Sequence, residues 1–165
     1  MSDPGFDEFY REMHPRLWAF LVRTTHDPDL VDEIAQESFV RLLASRGVTL
    51  PGDRRRAYLF KIAENLVRDA RRRRARERTS PLDAAALEVA QAPAEPMSRR
   101  AAAALGALSE RERKILWLAH VEEWKHDEIA VVLGLAAASI RVLLHRARRR
   151  FKEHFEAEDP DERED

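Results

Sequence analysis

Apolar residues recur along most of the chain at the three-and-four spacing of an amphipathic helix, and no sustained alternation marks a strand. Over 6–25, Phe9, Met13, Leu17, Phe20 and Leu21 fall on one stripe, predicting a helix that Pro15 would kink or divide. Asp27-Pro28-Asp29 reads as the next helix start, with Asp27 as the capping acid and Pro28 in the first turn. That helix is expected to reach about residue 44, followed by a Gly- and Pro-containing loop at 45–53 and a long helix at 54–76. Further on, Ser109 is a strong N-cap: Glu112 completes a capping box, and Leu108 before the cap offers a hydrophobic staple. The helix it opens is expected to run to about residue 121. A short helix from Asp127 ends at Gly134, a residue suited to the left-handed closing position, and a last helix covers 137–155.

Between these blocks, 79–98 reads TSPLDAAALEVAQAPAEPMS, with Pro81, Pro93 and Pro96 and few large apolar side chains. Each Pro biases its predecessor away from helix, so the stretch reads as a linker with one helical turn near 84–90. The expected fold is all-α. Two small helical domains, 1–78 and 99–155, are joined by a flexible linker at 79–98 and followed by a tail at 156–165.

Composition narrows the class. The 165 residues are 44% apolar, enough for a core, and 36% charged, against roughly 25% in an average domain. With 5 Gly and 7% aromatics, sandwiches, barrels and Gly-rich phosphate loops are disfavoured, and with no Cys, disulfide scaffolds and thiolate metal sites are excluded. No run approaches the ~18 apolar residues of a membrane span, and the first residues do not pair a basic stretch with an apolar one. A cytoplasmic protein without a membrane partner is expected.

The net charge of −1 conceals segregation. Residues 1–78 carry 16 Lys/Arg against 13 Asp/Glu, and 99–155 carry 12 against 7. The 79–98 stretch has 3 acids and no base; the last ten residues have 7 acids and Arg163. Two basic blocks point to a polyanionic partner. The tail has the composition of a disordered, solvating end, and its charge would also screen the basic block it follows.

The sharpest signal lies between Asp127 and Phe151. Ala130, Gly134 and Ile140 stand where a helix-turn-helix needs a small residue, a turn glycine and an aliphatic residue packing back. On the last helix Ile140, Leu143, Leu144, Ala147 and Phe151 share one face. Ala138, Arg141, Val142, His145, Arg146 and Arg149 share the other. That arrangement suits a recognition helix, with donors able to reach base edges and phosphates. A solvated basic face on an ordinary helical hairpin is the plainer alternative.

The helix from Arg54 is also two-faced. Leu59, Ile62, Ala63, Leu66, Val67 and Ala70 form its apolar arc, while Lys61, Asn65, Arg68 and Arg72 line up opposite, ahead of an Arg run at 71–76. Arg with one amide suits a phosphate backbone plus a base contact, unless the face is merely solvated. The helix from Asp29 has the reverse polarity. Val31, Ile34, Ala35, Ser38 and Leu42 face inward; Asp29, Asp32, Glu33, Gln36, Glu37 and Val40 face out. Such a face repels DNA and suits a protein partner or plain solvent.

Enzyme signals are absent. His14, His26, His120, His126, His145 and His154 form no metal-ligand motif, and there is neither a phosphate loop nor a nucleophile elbow. No catalytic residue, metal or cofactor is expected. Trp18, Trp117 and Trp124 fit core or interface positions.

The three faces in this order resemble one family, the extracytoplasmic-function sigma factors of bacterial RNA polymerase, from about Phe9 to Phe155. DPDLVDEIAQESF at 27–39 resembles the acidic helix of the family's region 2. YLFKIAEN at 58–65, with Asp69 and the Arg run, resembles its promoter-opening helix. Leu108 to Phe151, with Glu128-Ile129-Ala130 and Arg146-Ala147-Arg148, is similar to its region 4.

The resemblance implies partners: core RNA polymerase (the clamp helices of its largest subunit and the flap of its second) and promoter DNA, with control through a separate anti-sigma protein or through expression. Asp29, Asp32, Glu33, Gln36 and Glu37 would grip the clamp helices. Lys61, Asn65, Arg68 and Arg72, with the 45–53 loop, would hold the unstacked −10 strand. Arg141, Val142, His145, Arg146 and Arg149 would read the −35 element. The linker would thread toward the RNA exit path. Tyr58 stands where the family more often has Trp, and Ala136-Ala137-Ala138-Ser139 replaces a polar, Gly-containing entry to the recognition helix. A DNA-binding regulator that never joins polymerase, and an enzyme acting on nucleic acid, are the competing readings.

Overall fold

The structure, a computed structural model, describes residues 4–25, 27–77 and 97–157. Arg78, the linker residues 79–96 with their expected helical turn, the tail beyond 157 and His26 lie outside the described residues. Among those described there are seven α-helices and no strand. They form two compact units.

The N-terminal unit packs α1 (Pro4–Thr25), α2 (Pro28–Ala44) and α3 (Gly52–Glu77). The predicted stripe of α1 is its buried face, with Met13, Leu17, Phe20 and Leu21 fully inaccessible to solvent. The Phe20 ring meets the Phe60 ring of α3 with centroids 5.1 Å apart. Pro15 does not divide α1, which runs through it. The proline ring sits on the exposed side, while Met13 and Leu17 on either side of it are fully buried. Packing of both flanks outweighs the one missing backbone donor.

Two expectations, one at each end of α2, are corrected. Asp27 precedes α2 but makes no side-chain cap. Its carboxylate is drawn instead to Arg74, 2.5 Å away. The segment read as a loop at 45–53 contains a 3₁₀ turn, Arg46–Thr49, and α3 already begins at Gly52. Ser45 Oγ accepts from the Gly47 amide at 3.1 Å and donates to the Leu42 carbonyl at 2.8 Å, joining the end of α2 to that turn.

The C-terminal unit is built on α4 (Arg99–Gly106), α5 (Glu110–Leu116), the first part of α6 (His126–Leu133) and α7 (Ala137–Ala157). The α4 helix was not foreseen; its one local signal is Ser98, whose hydroxyl caps the Ala101 amide at 3.1 Å. The Ser109 capping box is present, with Ser109 N donating to Glu112 Oε2 at 2.9 Å and Glu112 N donating to Ser109 Oγ at 3.3 Å. The staple is not. Its partner position holds Arg113, whose guanidinium donates to the Leu108 carbonyl while the Leu108 side chain is buried. Nor is the following segment α-helical to 121: it opens into a π-turn, Trp117–Val121, with Glu122 N bonded to the Trp117 carbonyl at 3.1 Å. Gly134 takes the left-handed conformation, φ 64°, and lets Leu135 N bond back to Ala130 O at 3.0 Å, closing α6 before α7. No single described helix is long and apolar enough to cross a membrane.

Glu112 also accepts from Arg150 Nη1 at 2.9 Å, tying α5 to α7. Burial disfavours its charge, but the Ser109 amide, Arg150 and the Ser109 hydroxyl together hold its pKa below the ordinary 4.5. A carboxylate with a depressed folded pKa contributes stability above its ordinary range and loses it as pH falls through the folded value. The melting temperature of the wild type should therefore exceed that of Glu112→Gln near neutrality, and the gap should close on acidification below 4.5. A gap that stays constant down to full protonation would show that the carboxylate charge plays no part in joining α5 to α7.

Candidate nucleic-acid interface

Helix α7 presents two faces because its apolar period matches its turn. Ile140, Leu144 and Ala147 are buried, while Leu143 and Phe151, expected beside them, are half-buried at the margins. On the other side Ala138, Arg141, Val142, His145, Arg146 and Arg149 are all exposed, Val142 at 51%. Arg149 is in an exposed pair with Glu153 at 3.4 Å, which screens it. Arg146 borders a cleft of about 500 Å³ between α5 and α7, shared with Arg111, Arg149 and Arg150 and with Glu112 and Glu153. Arg111 was missed in the sequence; it joins this basic surface because the capped start of α5 lies alongside α7.

Helix α3 buries Ala57, Leu59, Phe60, Ala63, Glu64, Leu66 and Val67. Ile62 and Ala70, expected in that arc, are half-buried, whereas Phe60 and Glu64 were not expected there. Of the opposite line, Asn65, Arg68 and Arg72 are exposed and Lys61 is half-buried. The Arg run does not act as one ladder. Arg71 donates to the Thr25 carbonyl at 3.3 Å and Arg74 pairs with Asp27, so these two fasten the α1–α2 turn. Arg72, Arg73 and Arg76 remain exposed.

At the other end of α3 the Tyr58 ring lies over the 3₁₀ turn. A Cβ at Gly47 would stand 2.3 Å from two of its ring carbons, so only glycine fits beneath it. Arg55 Nε donates to the Leu50 carbonyl at 3.2 Å, and Thr49 Oγ1 to the Arg46 carbonyl at 2.8 Å. The 45–53 segment is thus a braced platform rather than an open loop.

On α2 the expected inward set is buried throughout: Val31, Ile34, Ala35, Ser38 and Leu42. The outward set divides. Asp29, Asp32, Glu33 and Gln36 are exposed and Glu37 is half-buried. Asp32 accepts from Trp18 Nε1 at 2.8 Å on the α1 side. Glu33, Gln36 and Glu37 instead border a cleft of about 650 Å³ between α2 and α3, together with Arg41, Arg73 and Arg74. Glu37 pairs with Arg41 at 2.9 Å. Among the described residues no group of three or more His, Asp or Glu could hold a metal ion.

Comparison with known proteins identifies the family of the chain. Residues 9–77 match the family model described as Sigma-70 region 2, and residues 98–151 match that of Sigma-70, region 4. The chain is 30% identical over 156 residues to RNA polymerase sigma factor CarQ of Myxococcus xanthus, covering 92% of this chain and 90% of that one. Its fold is similar to RpoE of Bartonella quintana, solved in complex with the anti-sigma factor NepR (TM-score 0.72, 21% identity, 95% and 100% of the two chains). It is also similar to CnrH, solved with the cytosolic domain of CnrY (TM-score 0.61, 25% identity, 93% and 89%).

Proposed function

The chain belongs to the sigma-70 family, as an extracytoplasmic-function sigma factor that recognises promoters for transcription initiation, and from that premise we propose how its faces divide the work. In this reading, α2 docks on core polymerase through Asp29, Asp32, Glu33, Gln36 and Glu37, meeting the clamp helices of the largest subunit. Lys61, Asn65, Arg68 and Arg72 of α3, with the platform at 45–53, hold the −10 strand. Arg141, Val142, His145, Arg146 and Arg149 of α7 read the −35 element. The domains fall at 1–78 and 99–155, with 79–98 between them and the acidic tail after. The protein acts in the cytoplasm without catalysing a reaction, and an anti-sigma protein restrains it, as the complexes of RpoE and CnrH suggest.

The observation that carries this reading is the face of α7: five side chains chosen for base and phosphate contact are all exposed, on the helix that follows a left-handed glycine turn. Run-off transcription with core polymerase on a genomic fragment library tests it. Discrete transcripts that require the chain are expected. Retained duplex binding with neither core binding nor transcripts would identify instead a regulator that never joins polymerase.

A further inference from the structure

One contact of the C-terminal unit has no place in this division of roles. Arg148 Nε donates to His120 Nε2 at 2.8 Å, joining α7 to the π-turn. Both residues are exposed. Arg148 lies seven residues beyond Arg141, and at about 3.6 residues per turn that returns it to within roughly 20° of the same line along α7. It therefore stands at the flank of the −35 face, two turns further on.

The chemistry of the pair is specific. A guanidinium has five N–H donors in a planar fork, and committing the Nε–H to an imidazole leaves both Nη groups for a second acceptor. The fork is oriented but not used up, and its charge is not neutralised, as it would be by a carboxylate. An imidazole nitrogen accepts only when it carries no proton, so His120 must be neutral with its hydrogen on Nδ1. Partial desolvation where the exposed ring lies against α7, and then the charge of Arg148, hold the His120 pKa below its ordinary 6.5, which favours that form near neutrality.

The backbone that carries His120 is also unusual. A π-turn is a rare element, and this one is closed by Glu123 at φ 55°, a conformation that non-glycine residues adopt at a cost. Trp124 N bonds back to the Leu118 carbonyl at 2.9 Å to complete the closure, and Trp117, Leu118 and Trp124 are buried. This widened turn is the backbone from which the imidazole meets α7.

We propose that Arg148 contacts a DNA phosphate beside the −35 element and that His120 is its positioning residue, holding the guanidinium ready before DNA arrives. Fixing a long side chain on binding costs entropy, and holding it beforehand removes part of that cost. The inference rests on the assignment of α7 to −35 recognition.

The test uses the full chain bound to core polymerase and a short duplex selected by that holoenzyme from a randomised pool, with affinity measured across a salt titration. Arg148→Ala should weaken binding by a similar factor on every sequence and lower the salt slope by about one. His120→Ala should weaken it by about fivefold at low salt, the scale of ordering one long side chain. His120→Gln, whose side-chain oxygen accepts the same N–H, should restore it. In the Arg148→Ala background His120→Ala should add nothing, because a residue acting through another has no effect once that one is gone.

As pH is lowered from about 8 to about 5.5, across the range in which His titrates, the wild type should lose its advantage over His120→Ala. His120→Gln should keep it. The other charged side chains of α7 and of the segment around the π-turn, His145, Lys152, Glu122 and Glu123 among them, are common to all three proteins and cancel in the comparison. An unchanged salt slope in Arg148→Ala, or an equal cost of His120→Ala in both backgrounds, would overturn the proposal. If Arg141→Ala and Arg146→Ala are silent as well, the −35 assignment itself fails; if they weaken binding and Arg148→Ala does not, only the His120–Arg148 role does.

Discussion

Reversing Asp32, Glu33 and Glu37 to Lys should abolish the affinity of the chain for core polymerase while leaving its helical content intact. Asp32 and Glu33 are exposed and Glu37 is half-buried, so little packing is at risk, within about ±0.5 kcal/mol for each site. The Glu37–Arg41 pair that would be lost is an exposed i,i+4 pair of the kind worth about 0.3–0.5 kcal/mol. Each reversal, by contrast, places a like charge against whatever cation the face meets, and such juxtapositions cost several kcal/mol at an interface. The structure sharpens the expectation. Asp32 is held by Trp18 on the α1 side and Glu37 is paired with Arg41, whereas Glu33 is exposed at the α2–α3 cleft, so Glu33 should carry the largest share. Co-purification and anisotropy titration with core polymerase measure this. Undiminished affinity in the triple variant would remove α2 as the docking element.

The second large effect is a division between the two units. Arg141→Ala and Arg146→Ala should each weaken −35 duplex binding by about 1–3 kcal/mol wherever the side chain is bidentate to a guanine. Arg149→Ala should do less, since its charge is already shared with Glu153. Asn65→Ala should leave duplex binding unchanged and impair promoter opening, because an exposed amide on α3 suits an unstacked base rather than a paired one. Permanganate footprinting of the holoenzyme on a promoter separates the two: thymine reactivity around −10 should drop in Asn65→Ala at unchanged −35 occupancy. Normal reactivity in that variant would refute the role of Asn65.

Much of this architecture was legible before any coordinates. The buried stripes of α1 and α2, the capping box at Ser109 and the left-handed Gly134 follow from rules that act over one to four residues. An amphipathic period, a hydroxyl followed by a carboxylate three residues on, and a backbone that only glycine adopts without strain are all written locally. The same locality makes the basic face of α7 readable, since a helix sorts its side chains by angle alone.

Which charges stay free for a partner was decided by the tertiary fold. Arg71 and Arg74 look identical to Arg72 and Arg73 in the sequence, yet they fasten groups 46 and 47 residues away, at Thr25 and Asp27. Pro15 stays inside a continuous helix because Met13 and Leu17 are buried on both sides of it, and Arg113 takes the place of a hydrophobic staple. Arg148 is met by His120 across 28 residues, from a π-turn that no local pattern announced. Helical period determines on which side of an element a residue lies; the partner it finds there depends on another element brought alongside, and that is a property of the packed chain.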